Sequence, residues 1–170
     1  MSGQGQPESQ PRLLRERRFL PFFITQFLGA FNDNVFKNAL IILIAFQGAQ
    51  FSNIATNTLT NLSAGLFILP FFLFSASAGQ LIDKTEKSLS MRRIKLLEIA
   101  IMLCAAWAFS AGELYLLIAL LFLMGAQSSL FGPAKYSYIP QHLSDNELIA
   151  GNALVQMGTF VAILIGTMVG

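Results

Sequence analysis

Apolar residues fall into five long blocks along this chain, at about 19–46, 59–82, 94–111, 114–131 and 148–170, separated by short polar stretches. A helix that crosses a bilayer needs about 20 mostly apolar residues. Each block meets or approaches that length, so the pattern predicts an all-α, polytopic membrane protein with about five transmembrane helices. Residues 1–10 are polar and rich in Gly, Gln and Ser. Such a composition cannot bury a core, and 1–18 is expected to be a disordered cytoplasmic tail with a basic flank. The spans are expected to form one membrane domain over 19–170. The first block is too long for the apolar region of a signal peptide, about 7–15 residues, and reads as a retained span. The last block runs to Gly170 without a polar tail or basic flank, so the chain is expected to be a fragment.

The polar breaks carry their own signals. Ser144-Asp-Asn-Glu147 has the spacing of a capping box at the start of the fifth helix. Gly112-Glu113 leaves room only for a very tight turn between the third and fourth helices.

Charge sets the orientation. Short loops rich in Lys and Arg stay in the cytoplasm. Arg12, Arg15, Arg17 and Arg18 precede the first block. Lys84, Lys87, Arg92, Arg93 and Lys95 lie between or at the edges of the second and third, and Lys135 lies between the fourth and fifth. Ten of the eleven basic residues thus fall on one side, which predicts a cytoplasmic N-terminus. Only 12% of residues are charged and 54% are hydrophobic. A soluble domain carries about a quarter charged residues, so composition agrees with a lipid-bilayer partner.

The exception, Lys37, belongs to a polar cluster inside the first span: Asn32-Asp33-Asn34 and Lys37-Asn38. Ionisable residues within a span are costly, usually face the bundle interior or water, and mark transport paths. At about 100° per residue, Gln26, Asp33 and Lys37 fall within roughly 40° of one another, with Asn34 at the edge of the stripe. Ala30 on the same stripe leaves room for a ligand or another helix. Asp33 and Lys37 also have the favoured acid-first i,i+4 spacing of a helical ion pair. Gln26, Asp33, Asn34 and Lys37 are therefore candidate substrate-translocation residues. The competing reading is an ion pair that only neutralises both charges.

Enzyme chemistry has no foothold in this sequence. There is no nucleophile elbow, phosphate loop or His-x4-Asp acyltransferase motif. The single cysteine, Cys104, and the single histidine, His142, cannot assemble a metal site or a disulfide. No cofactor, metal or nucleic-acid partner is expected.

Three strings point to a family. Gly79, Leu81, Asp83 and Lys87 resemble the signature between helices 2 and 3 of the major facilitator superfamily, with Glu86 where the family has a loop glycine. The competing reading is a basic loop that only sets topology and snorkels to the interface. Phe131-Gly132-Pro133-Ala134-Lys135-Tyr136, then Ile139-Pro140, reads physically as a helix-ending Gly-Pro and a basic inner loop. With Gln26-Phe-Leu-Gly-Ala-Phe-Asn-Asp33-Asn34 and Arg93-Ile-Lys95-Leu-Leu-Glu98, it resembles the lysophospholipid transporter branch of that superfamily over about residues 19–160. The Phe-Asn-Asp-Asn-Val-Phe-Lys-Asn string is most similar to the transporter half of proteins fused to a phospholipid acyltransferase and an acyl-carrier-protein ligase. Gly158, Gly166 and Gly170 are similar to a glycine pattern in the fifth helix of facilitators, and Gly166-xxx-Gly170 permits close packing.

The resemblance implies five helices of a facilitator N-terminal half, built from inverted repeats. It implies inward movement of lysophospholipids, or related amphipathic lipids, for reacylation. Gly79, Leu81, Asp83 and Lys87 would form a conformational gate motif with the missing remainder of the transporter. Gly132, Pro133, Lys135 and Tyr136 would be a family loop motif. A facilitator for another small solute, and a non-transporting membrane module of a fused lipid-modifying enzyme, stay open.

Overall fold

Each apolar block becomes one helix, in a computed structural model that describes residues 10–51 and 54–170, with side chains at 12–47 and 54–170. Of the expected tail over 1–18, residues 1–9 lie outside the described residues, as do Ser52 and Asn53, whereas 10–18 is described and includes a short helix. In chain order the helices are α1 (Gln10–Leu13), α2 (Leu20–Phe51), α3 (Thr56–Asp83), α4 (Lys87–Ala111), α5 (Leu114–His142) and α6 (Asp145–Val169). Among the described residues no strand occurs, and α2 to α6 are long and apolar enough to cross a membrane. Large apolar side chains such as Phe46, Phe72 and Met168 are more than three-quarters exposed. Contiguous apolar surface of that kind belongs against lipid rather than water.

The helix ends follow from particular residues. Gly112 adopts φ 70°, ψ 25° after α4, a left-handed conformation that a side chain disfavours. There the Glu113 N–H donates to the Ala108 carbonyl and the Gly112 N–H to that of Phe109. This is a Schellman closure, and it lets α5 start at Leu114. Before α6, both the N–H and the hydroxyl of Ser144 donate to Glu147 Oε2, at 2.8 and 2.7 Å.

Two boundaries differ from the apolar pattern. α4 begins at Lys87, not near 94, because Glu86 caps it. The Glu86 carboxylate accepts from the Ser88 N–H at 2.9 Å and the Leu89 N–H at 2.5 Å, satisfying orphan donors of the first turn. The residue that departs from the family loop thus has a structural task. The second difference is larger. α5 does not end at the Gly-Pro but continues through Gly132-Pro133 to His142. A proline disfavours helical backbone in the residue before it by striking its N–H and Cβ; Gly132 lacks the Cβ, and Leu69 before Pro70 and Ile139 before Pro140 stay helical even with theirs. Spanning helices tolerate the one missing hydrogen bond. Lys135 and Tyr136 are therefore on a helix, not in a loop.

The described residues separate into two compact units, one ending at Val35 and resuming over Tyr136–Gly170, the other Phe36–Lys135. The second is cored by Phe36, Leu40, Ile44, Leu59, Ile101 and Leu117, among others, with Phe36 edge-on to Phe109 at 5.8 Å. In it Gly125 faces the Phe67 carbonyl so closely that a Cβ has no room, beside the helix-internal Pro70. In the first unit α1 packs against α6, and glycines of α6 admit α2. A Cβ at Gly158 would lie 2.7 Å from the Phe23 ring, and one at Gly166 would lie 2.6 Å from the Phe31 carbonyl. The glycine pattern in the fifth span thus sits at a close helix crossing, as small residues allow.

Candidate functional site

The polar stripe of the first span lies on α2. In the first unit Gln26 is only 4% exposed. Its Nε2 donates to Thr159 Oγ1 and, at 3.4 Å, to the Val155 carbonyl of α6. Gln26 thus ties two helices together. Asn34 is buried, and its Nδ2 donates to the Ala30 carbonyl one turn earlier at 2.8 Å. Asp33 is half-buried. Phe23 packs on Gly158. Lys37 belongs to the second unit, half-buried, with its Nζ 5.7 Å from the centre of the Phe67 ring.

The string proposed from sequence as a gate motif lies within the second unit, where α3 ends and α4 begins. Lys87 Nζ donates to the carbonyls of Ile82 at 2.8 Å, Asp83 at 3.1 Å and Thr85 at 3.3 Å. The Ile82 and Asp83 carbonyls belong to the last turn of α3, where a cation meets the negative end of the helix dipole. The Asp83 carboxylate is exposed and makes no hydrogen bond or ion pair among the described residues. Leu81 is exposed as well, and a Cβ at Gly79 would meet nothing within 4 Å. This corner therefore presents a free carboxylate and an open glycine on a turn held by Lys87 and Glu86.

Of the loop-motif residues, Gly132 is also open to space, while Tyr136 OH accepts from Gln156 Nε2 of α6 at 2.8 Å. Lys135 is half-buried on α5.

The structure adds a cluster that the sequence reading passed over. Glu98, 7% exposed and eleven residues into α4, accepts from Lys95 Nζ at 2.6 Å and from Gln127 Nε2 of α5 at 2.9 Å. Lys95 also lies over the Phe131 ring, 4.3 Å from its centre. The rule that singled out Asp33, an ionisable residue within an apolar run, applies equally to Glu98. A second such network is in the first unit. Arg18 donates to the His142 carbonyl at 2.8 Å and to the carboxylates of Glu147 and Glu16.

Among the described residues α2 to α6 are apolar helices of spanning length, and buried polar groups such as Gln26 and Glu98 lie along them. The chain is similar to lysophospholipid transporters. It is 29% identical over 162 residues to the lysophospholipid transporter LplT of Photorhabdus laumondii, covering 95% of this chain and 37% of that protein. The corresponding protein of Serratia proteamaculans is 26% identical over 164 residues, covering 96% and 38%. That of Salmonella arizonae is 27% identical over 151 residues, covering 89% and 35%. The chain spans less than two-fifths of the length of these relatives. No protein-family model matches it, and no solved structure does. The resemblance drawn from the sequence motifs is thus met by relatives along nearly the whole chain.

Proposed function

We propose that this chain serves a transporter that moves lysophospholipids across the bacterial inner membrane for reacylation, with a cytoplasmic N-terminus. The observation that carries the reading is the similarity to lysophospholipid transporters over nine-tenths or more of the chain. That stretch includes the ionisable cluster of α2. In this reading the helices belong to the N-terminal half of a facilitator. Asp33, Asn34 and Lys37 meet the zwitterionic or anionic headgroup, and Gln26 fixes α2 to α6 beside them. Asp83 engages the remainder of the transporter when the inner face closes.

The test is uptake of labelled lysophospholipid by cells that lack their own lysophospholipid transporter. The chain would be expressed alone and fused to the C-terminal remainder of the Photorhabdus relative. The fusion is expected to restore uptake and the chain alone to give none. A folded, abundant fusion without uptake would overturn the reading.

A further inference from the structure

The ten residues before the first span form a fixed platform. α1 packs against α6, and Leu13 and Phe19 are buried. The Phe19 ring lies beside Gly151 of α6. Backbone hydrogen bonds run through the segment, from Arg15 N–H to the Arg12 carbonyl, Glu16 N–H to Leu13, and Leu20 N–H to Glu16. Arg18 closes it onto the end of α5 and the start of α6 through the His142 carbonyl and Glu147. In doing so it takes up the carboxylates of Glu16 and Glu147.

Arg15 and Arg17 are left over. Both are exposed, and neither guanidinium has a hydrogen-bond or ion-pair partner among the described residues. They stand five and three residues before Leu20, the first residue of α2. Leu20 and Ile24 of that helix's first turns are exposed apolar residues, so the hydrocarbon begins at this level. Two guanidinium groups just outside it lie at the depth of lipid phosphates. Arginine's planar fork matches phosphate oxygens with paired hydrogen bonds, and the platform spares much of the ordering cost that a flexible tail would bear.

We propose that Arg15 and Arg17 form a binding site for the headgroups of anionic phospholipids in the leaflet that α2 enters. The site is a fixed lipid anchor, separate from the polar stripe of α2, and it does not depend on transport. The adjoining apolar surface favours a bilayer lipid over a soluble anion.

The experiment is native mass spectrometry of the detergent-purified chain with phosphatidylglycerol or phosphatidylcholine, beside R15Q, R17Q and R15Q/R17Q. Basic residues at an anionic lipid surface each contribute enough that removing one should weaken binding about fivefold and removing both about 25-fold. Phosphatidylglycerol adducts are expected to exceed phosphatidylcholine adducts and to fall by those factors. R15K/R17K keeps the charge but lacks the paired fork and is expected to bind more than R15Q/R17Q and less than the wild type, so a variant lost to misfolding remains distinguishable from a lost site. Equal adducts with both lipids would overturn the proposal. So would undiminished phosphatidylglycerol binding by R15Q/R17Q, or loss of the adducts on adding millimolar inorganic phosphate at constant ionic strength.

Discussion

Gln127 reaches across from α5 to donate to the Glu98 carboxylate of α4 at 2.9 Å, within the membrane-spanning stretch of both helices. Lys95 closes the same carboxylate from the other side at 2.6 Å. In a low-dielectric interior an unpaired charge is costly, whereas a paired and hydrogen-bonded one is tolerated. Removing one partner is therefore worse than the pair is good. Glu98→Ala should strip Lys95 of its counter-charge and cost about 3–5 kcal/mol, read as a large fall in melting temperature in detergent. Glu98→Gln keeps a hydrogen-bonding partner for Gln127 and should cost less. A wild-type melting temperature for Glu98→Ala would show that the cluster contributes nothing to packing.

The corner between α3 and α4 separates two roles in neighbouring residues. Asp83 has no protein partner among the described residues, so Asp83→Asn should alter stability by no more than about 0.5 kcal/mol, like most surface changes. Its effect should appear in uptake by the transport-competent fusion, where the carboxylate would meet the rest of the transporter. Lys87→Met removes a cation that holds three carbonyls and should cost about 1 kcal/mol. Wild-type uptake by Asp83→Asn would mark the string as a topology signal alone.

Glycines divide by what a methyl would meet. At Gly166 a Cβ would stand 2.6 Å from the Phe31 carbonyl and 3.0 Å from Asn34 Cβ. Gly166→Ala must push α2 away from α6, an overpacking expected to cost about 1–3 kcal/mol. Gly132 has nothing within 4 Å and lies inside α5. Gly132→Ala avoids any clash with neighbours but restores the Cβ that disfavours helical backbone before Pro133. It should therefore weaken α5 around the proline, not separate helices. Distance measurements between spin labels on α2 and α6 check the contrast: they should lengthen in Gly166→Ala alone.

Local chemistry made much of this fold readable. The five spans follow from block length, the α4–α5 turn from Gly112, and the start of α6 from Ser144 and Glu147. Reading failed where two local rules competed. Gly132-Pro133 carries a helix-stop signal, but a spanning helix tolerates the hydrogen bond that a proline removes, so α5 runs on through it as α3 does through Pro70. Pairings across the chain left no trace in spacing. Gln26 and Thr159 stand 133 positions apart, and Arg18 and Glu147 stand 129 apart. Glu98 was different, because an acid within an apolar run was visible. It was read only as part of a family string, and its partner, 29 residues away, could not be paired with it from sequence.

The sharpest prediction concerns the stripe of α2, whose members the structure sorts into different tasks. Gln26 is buried and committed to Thr159 and Val155, so Gln26→Leu should lower stability and leave headgroup preference unchanged. Asp33 and Lys37 keep their one-turn spacing on an unbroken helix. A structural ion pair and a substrate site make opposite demands on them. If the two charges only neutralise each other, exchanging them in Asp33→Lys/Lys37→Asp preserves the pair and should restore what either single change removes. If Asp33 meets the cationic part of a headgroup and Lys37 its phosphate, exchange reverses both contacts. A hydrogen bond to a charged group contributes about 1.5–3 kcal/mol, so each single change should lower uptake by the fusion about tenfold or more. The exchanged protein should then stay as inactive as the singles, at normal abundance and melting temperature. Recovery of near-wild-type uptake on exchange would assign Asp33 and Lys37 to holding α2 in place and leave the headgroup to be read elsewhere.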